Sequence, residues 1–535
     1  MQTDMHDGPR DIASLLAARG AGDRTRPALT FYQGRNRVES MTYDDLLRRV
    51  HAAASRLRTE HAIARGDRVA VLSPNRPEVP ILFLATMSLG ATVVPLNPTS
   101  PQSEWAYVLG HAAPRGVLVS RDFEAKLPPL AEGTFVRPID EIANAADAAG
   151  DVAFDTSVDM SGERAIILYT SGTTGAPKGV ALSQGNLVSN GTSMARNFGL
   201  DHATQLAVLP LYHAHALGFG LMSALTTSGH LVFTEKLDPF AWSEIIRSES
   251  VTMTSVVPTL LPALLAARVK HDKIPTLRAI LVSSAPLTVE LAREFEAQTE
   301  LPLIQGWGLS EYTNFACCMS PDESKGDHAR MLFGAEVPTI GSPLPGTEVR
   351  VVDLEGSPLF AGERGELQVR GPSRMLGYFG DEAATRNTLT DDGWLKTGDM
   401  GYFVVDRDKP IFFISGRIKE IIIRGAEKHS PIALERSILA GVPELAGKMV
   451  VLGFPHKVHG EEIGAYVEME TLDDELRARL AAAVDALAPD LRPKIVLHGA
   501  TPIPRTHTGK IQRRKLLPFF EAYATCRGAA KIAPV

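Results

Sequence analysis

From Thr42 to Ser283 the chain repeats one pattern, a short apolar run of strand length followed by a segment whose apolar residues recur at helical spacing. Residues 43–57 put Leu46, Leu47, Val50, Ala53 and Leu57 on one helical face, and residues 68–72 then read as a strand. Apolar runs at 206–209, 231–234, 252–257 and 279–283 continue the rhythm. Strands of a parallel sheet are buried on both faces and joined by helices, so this alternation predicts an α/β fold. Near Gly346 the rhythm changes. Strand patterns at 348–353, 365–370, 401–405 and 410–415, separated by turns, predict an antiparallel meander or small barrel. Further on, Ser430 and Pro431 suit a helix start, Gly441 a stop, and Leu472, Leu476, Leu480, Val484 and Leu487 form one helical stripe. These features predict a separate small domain beyond a boundary near Gly416.

Composition narrows the function. The 535 residues suffice for several cores, and 62 acidic against 55 basic side chains leave a net charge of −7, with no basic footprint for nucleic acid. Only three cysteines occur, Cys317, Cys318 and Cys526, and adjacent cysteines seldom pair, which suits a reducing compartment. The start MQTDMHDGPR lacks the basic flank and apolar run of a secretion signal, so the expected location is cytoplasmic. Residues 79–96 form the longest charge-free apolar stretch, but Pro80, Gly90 and Pro95 break it. A buried helix followed by a buried strand is expected there, not a membrane span.

The segment YTSGTTGAPKG at 169–179 follows an apolar run. Its glycines let backbone N–H groups converge on an anion; Ser171, Thr173 and Thr174 add donors or metal contacts, and Lys178 adds a compact positive charge. Those parts suit a triphosphate. Gly172, Gly175 and Lys178 run GxxGxxKG, which departs from the Walker pattern and disfavours a P-loop ATPase.

With this loop the chain resembles the acyl-adenylate-forming superfamily of acyl-CoA synthetases, peptide-synthetase adenylation domains and luciferases. The likeness runs in order through MTYDDL at 41, GDRVAVLSPN at 66, GATVVPLNP at 90, PLYHAHALG at 210, QGWGLSE at 305, WLKTGDMG at 394, GRIKEI at 416 and PRTHTGKIQRRKL at 504. The resemblance implies a large amino-terminal domain, residues 1–416, with mixed sheets, helices and a barrel-like subdomain, and a small mobile α+β domain, residues 417–535. It implies ATP and Mg2+, a carboxylic acid that becomes an acyl-adenylate, and a thiol acceptor, either CoA or the phosphopantetheine of a separate carrier protein.

Residue roles follow from the same likeness. Lys510 matches the catalytic lysine that bridges the substrate carboxylate and the α-phosphate, where opposing negative charges must be brought together. Glu311 matches the Mg2+ ligand, with Thr174 a second metal contact. Thr170, Ser171, Gly172, Thr173, Thr174 and Lys178 match the phosphate loop. Ser284 and Ala285, with Gly306, Trp307, Gly308 and Ser310, match the adenine and phosphate wall. Trp307 reads equally as an adenine-stacking ring or a buried core aromatic. Asp399 and Arg417 match the ribose contacts, Lys419 the hinge, and His213 the residue beside the acyl pocket. His215 is a second histidine without a carboxylate or cysteine cluster to complete a zinc set. Arg513, Arg514 and Lys515 read as a solvated basic face.

Two departures matter. Ala426 stands where relatives carry a glycine beside the pantetheine tunnel, with His429 in place of an aliphatic residue, so the thiol step is expected to differ more than adenylation. Residues 218–222, GFGLM, offer no acid for an α-ammonium, which points to a non-amino acid, and Gly218 and Gly220 suggest room for an alkyl or aryl tail. Asn314 is placed to contact the acid or to satisfy its loop.

Overall fold

A computed structural model describes residues 8–144, 152–170, 176–424, 427–457, 459–505, 511–525 and 531–535. The chain divides into two compact units. One holds Met1–Val349, Gln368–Lys396 and Lys409–Ile411; the other holds Arg350–Leu367, Thr397–Asp408 and Phe412–Val535. No helix among the described residues is long and apolar enough to cross a membrane.

The first unit is built on two large sheets. The nine-stranded one runs Ser342–Pro343, Phe315–Cys318, Leu303–Gly308, Ala279–Val282, Met253–Val256, Thr204–Ala207, His230–Thr234, Pro27–Gln33 and Asn36–Thr42. Its central strands are parallel, and antiparallel pairs close both edges. The seven-stranded sheet runs Gly377–Tyr378, Lys178–Ser183, Arg164–Thr170, Thr92–Leu96, Arg68–Leu72, Gly116–Val119 and Phe135–Pro138. The α/β rhythm expected from periodicity is therefore present. The helix Tyr43–His61 buries all five residues assigned to its apolar face, each contributing on the order of 1–3 kcal/mol. Residues 79–96 form the buried helix Glu78–Ser88 and the buried strand Thr92–Leu96.

One helix positions the site. Gln184–Phe198 starts at Ser183, whose hydroxyl accepts from Asn186 N–H while the Asn186 side chain accepts from Ser183 N–H. Most of its circumference is buried, so its polar residues must find partners inside the protein. Asn186 donates to the Pro372 carbonyl, Asn190 to that of Phe315 and Ser193 to that of Pro345. These bonds pin the loops on either side of the site.

The strands Glu348–Val352, Gly365–Arg370, Leu395–Asp406 and Lys409–Arg417 neighbour one another in sequence order, as a meander requires. The second unit also contains a six-stranded sheet around the antiparallel pair Met449–His456 and Gly460–Glu468. Helices Pro431–Leu439 and Asp474–Asp485 supply one of its apolar clusters, and the 3-10 segment Arg513–Tyr523 supplies another through Leu516 and Phe520. The stripe read over 472–487 is helical only from Asp474 to Asp485, because Asp473 caps the helix by accepting from Leu476 N–H.

Arg513 departs from expectation. It is buried, not solvated: it donates to Glu420 at 2.7 Å, to both Glu435 oxygens at 2.8 and 3.0 Å, and to the Val451 carbonyl at 3.0 Å. Burial pushes the Glu435 carboxyl up while the Arg513 charge opposes that shift. A planar guanidinium with five donors makes these four bonds, one more than the three N–H groups of a lysine allow.

Candidate active site

The strand Lys178–Ser183 pairs on one side with Arg164–Thr170, where Thr170 faces Lys178. On the other side it pairs with Gly377–Tyr378, where Tyr378 faces Val180. A strand follows the phosphate loop, whereas a helix follows a Walker loop. Ser171, Gly172, Thr173 and Thr174 lie outside the described residues, as does Lys510.

Exposed Lys178 holds its Nζ 4.9 Å from the centre of the Tyr378 ring, within the range of a cation–π attraction. The Tyr378 hydroxyl donates to Glu311 Oε1 at 2.8 Å. Burial and the Glu311 charge hold the Tyr378 phenol far above its ordinary range, so it stays a neutral donor. A cation, a phenol and a carboxylate thus lie in sequence, and the hydroxyl that bonds the carboxylate belongs to a neutral group.

Glu311 sits in the 3-10 turn Ser310–Tyr312, and its carbonyl accepts from Met375 N–H at 2.8 Å. Directly after it, Thr313 has φ 65° and ψ −50°, and Asn314 N–H bonds the Tyr312 carbonyl at 2.7 Å. This is a γ-turn of the rarer, strained hand, at a β-branched residue that ordinarily avoids positive φ. The surroundings hold it: Thr313 Oγ1 donates to the Ser373 carbonyl at 2.7 Å, while buried Tyr312 bonds Thr347 and the Arg370 carbonyl. The turn aims Glu311 and Asn314 in different directions from one short segment.

Gly306, Trp307 and Gly308 lie on the strand Leu303–Gly308, with Trp307 only 8% exposed. A Cβ at Gly308 would sit 1.7 Å from the Asn314 carbonyl oxygen, so close packing alone already demands glycine there.

His213 is half-buried in the turn before a fully buried π-helix, Ala216–Met222. Such widened turns recur at functional sites. His215 is 6% exposed; its Nδ1 lies 3.0 Å from Ser284 Oγ, and its ring meets Phe315 edge-on at 5.0 Å. Desolvation drops its pKa to about 3, so it is neutral at pH 7, and its buried Nε2 has no hydrogen-bond partner among the described residues. The space suggested at Gly218 and Gly220 is already filled. A Cβ at Gly218 would meet the Asn314 amide at 2.6 Å, and one at Gly220 would meet Ala207 at 3.2 Å. Asn314 itself reaches the His215 carbonyl at 3.4 Å. Ser284 fits beside His215, but at φ 71°, a conformation that favours glycine and carries strain in serine. Ala285 beside it is half-buried.

In the second unit Asp399, 9% exposed, accepts from Arg417 Nε at 2.9 Å. Lys419 is exposed in the turn Ile418–Glu420. Ala426 lies outside the described residues, and the His429 ring is 3.6 Å from Glu427. Among the described residues, the grouping of metal-ligand type is His456, His459 and Glu462, not His213 and His215, and Arg424 already lies 2.6 Å from the Glu462 carboxylate. Sequence reading did not single out Tyr378 or Thr313. The GYFG segment at 377–380, an aromatic beside glycines, was the available signal for the first.

The donor chemistry around Glu311 fits a Mg2+-triphosphate. A carboxylate with a neutral neighbour can accept a hard cation, and an exposed ammonium lies close by to meet phosphate oxygens. Residues 16–379 match the family model described as AMP-binding enzyme. The chain belongs to that family. It is 32% identical to a sulfoacetate–CoA ligase of Cupriavidus necator over 95% of this chain and 97% of the relative. It is 29% identical to a long-chain-fatty-acid–CoA ligase of Bacillus subtilis over 95% and 94%. Among solved structures it resembles ATP-bound MatB from Rhodopseudomonas palustris, with TM-score 0.82, 28% identity, and 96% and 100% of the two chains covered. It also resembles the B. subtilis o-succinylbenzoate CoA synthetase in complex with ATP and magnesium ion, with TM-score 0.78, 26% identity, and 94% and 98% covered. As a member of this AMP-binding family the chain is an adenylate-forming acid–thiol ligase that uses ATP, Mg2+ and CoA.

Proposed function

We propose that this ligase activates a non-amino carboxylic acid and transfers the acyl group to CoA in the cytoplasm. The observation that carries the choice of acid is the fully buried stretch Ala216–Met222, which holds no acid, beside a neutral His215. An α-ammonium buried there without a counter-charge costs several kcal/mol. The curated relatives are named for sulfoacetate, long-chain fatty acids, ferulate and 2-succinylbenzoate, so membership leaves the acid open, and the lack of an acid over 216–222 supports a non-amino one.

A carboxylate attacking a triphosphate is opposed by charge, and its own oxide leaves poorly. In the proposed scheme Lys178 and residues 170–174 hold the phosphates, and Lys510 bridges the substrate carboxylate and the α-phosphate. Glu311, together with Thr174, would hold Mg2+, which would supply positive charge against the phosphates. Ser284, Ala285, Gly306, Trp307, Gly308 and Ser310 form the wall for the base and phosphates, with the Gly306 and Gly308 contribution limited to backbone. Asp399 and Arg417 receive the ribose, and His213 borders the acyl carboxylate. Lys419 serves as the hinge between domains 1–416 and 417–535 as the thiol step replaces adenylation. A pyrophosphate-release screen over alkyl, aryl and α-amino acids, with CoA and with a carrier protein as acceptors, tests this. Acids without an α-amino group are expected to respond with CoA; a response confined to α-amino acids or to the carrier protein would overturn the reading.

A further inference from the structure

Tyr378 touches both Lys178 and Glu311, through different parts of itself. Its hydroxyl takes Glu311 Oε1, and its ring face takes the lysine. A glutamate side chain loses on the order of 1–2 kcal/mol of rotamer freedom when fixed, and an arginine or lysine partner fixing it would also cancel its charge. A phenol fixes it without cancelling anything. The same logic applies to the lysine: a carboxylate partner would compete with phosphate, whereas a ring face attracts the ammonium weakly and leaves its three N–H donors available. The position of Tyr378 is set by backbone, because Gly377 and Tyr378 pair with Ala181 and Val180 on the strand that begins at Lys178. The phenol and the lysine therefore sit on adjacent strands in fixed register, and the strained turn at Thr313 fixes the carboxylate from the other side.

We propose that Tyr378 is a positioning residue that holds Glu311 ready for the metal through its hydroxyl and Lys178 ready for phosphate through its ring. This rests on the reading of Glu311 as the Mg2+ ligand. The two halves separate experimentally. Tyr378→Phe keeps the ring and removes the hydroxyl, whereas Tyr378→Leu removes both.

The test measures binding of a non-reactive ATP analogue by isothermal titration calorimetry across a Mg2+ series, on full-length chains whose folding is checked by thermal melting. Tyr378→Phe is expected to raise the half-saturating Mg2+ concentration about tenfold, the size of a hydrogen bond to a charged group, and to leave analogue affinity at saturating Mg2+ within about twofold. Tyr378→Leu is expected to lose a further few-fold in analogue affinity that Mg2+ does not restore. An unchanged or lowered Mg2+ requirement in Tyr378→Phe overturns the hydroxyl role, the lowered case meaning that the phenol competes with the metal. Equal analogue affinity in the Phe and Leu variants overturns the ring role. Glu311→Gln runs alongside: if it leaves the Mg2+ requirement at the parent value, the metal assignment itself has failed, whatever Tyr378 does. Should Tyr378→Leu not fold, Tyr378→Met replaces it, since it too lacks ring and hydroxyl, with the same few-fold loss relative to Tyr378→Phe expected and its absence counting against the ring role.

Discussion

Glu311 and Glu435 are both shielded glutamates near an aromatic or basic neighbour, and the protein treats them in opposite ways. Both Glu435 oxygens accept from one terminal nitrogen of a buried arginine whose other terminal nitrogen serves Glu420, so charge is answered by charge. Glu311 is held by a phenol, and the nearby lysine rests on that phenol's ring. The first arrangement is complete within the protein and contributes to holding the second unit together. The second leaves net charge of each sign to be satisfied by something else, as a site for a metal and a polyphosphate requires. Partner chemistry, more than burial, separates a structural carboxylate from a functional one here.

Breaking the structural side of that contrast should have the largest effect. Arg513→Met leaves two buried carboxylates unanswered and is expected to cost about 3–5 kcal/mol, read as a lowered melting temperature. Adding Glu435→Leu should recover a large part of it; no recovery would show that Arg513 acts through packing. On the other side, Glu311→Gln is expected to lower acid-dependent pyrophosphate exchange about 100-fold while changing stability by less than about 1 kcal/mol. A large loss of melting temperature there would collapse the distinction.

A smaller effect concerns pH. His215 and His230 have folded pKa values lowered by burial to about 3 and about 4, against 6.5 when unfolded. The unfolded chain then binds more protons between pH 6.5 and those values, so their contribution is complete above pH 6.5 and is lost as pH falls. The slope is about 1.4 kcal/mol per pH unit per histidine. His215→Gln should make the fall in melting temperature between pH 6.5 and 4.5 shallower; an unchanged slope would place the acid sensitivity elsewhere. The smallest effect is expected at Ser284→Gly, where relief of positive φ and loss of the His215 bond oppose each other and leave a net change under about 1 kcal/mol. A clear gain in melting temperature would show that backbone strain there outweighs the bond.

Periodicity made much of the fold readable. The strands Arg68–Leu72 and Gly365–Arg370 lie where alternation and turn residues put them, and the helix after Ser430 begins at its cap. These are local properties. Arg513 was misread because an arginine in a basic run is solvated by default, and only the fold brings Glu420 and Glu435 to it. Tyr378 was missed because its meaning depends on pairing with a strand nearly two hundred residues earlier. Thr313 and Ser284 hid backbone strain, since neither is a glycine and no letter in the sequence reports φ. The motif around Glu311 was legible as chemistry, whereas the hydrogen bond that prepares it was not.

The most direct test of the account is anomalous diffraction at the manganese edge from crystals of the chain grown with ATP and Mn2+ in place of Mg2+. The expected result is a peak within about 2.2 Å of a Glu311 carboxylate oxygen, with Tyr378 still bonded to the other oxygen. A well-occupied metal bound to the nucleotide but out of reach of Glu311 would contradict it.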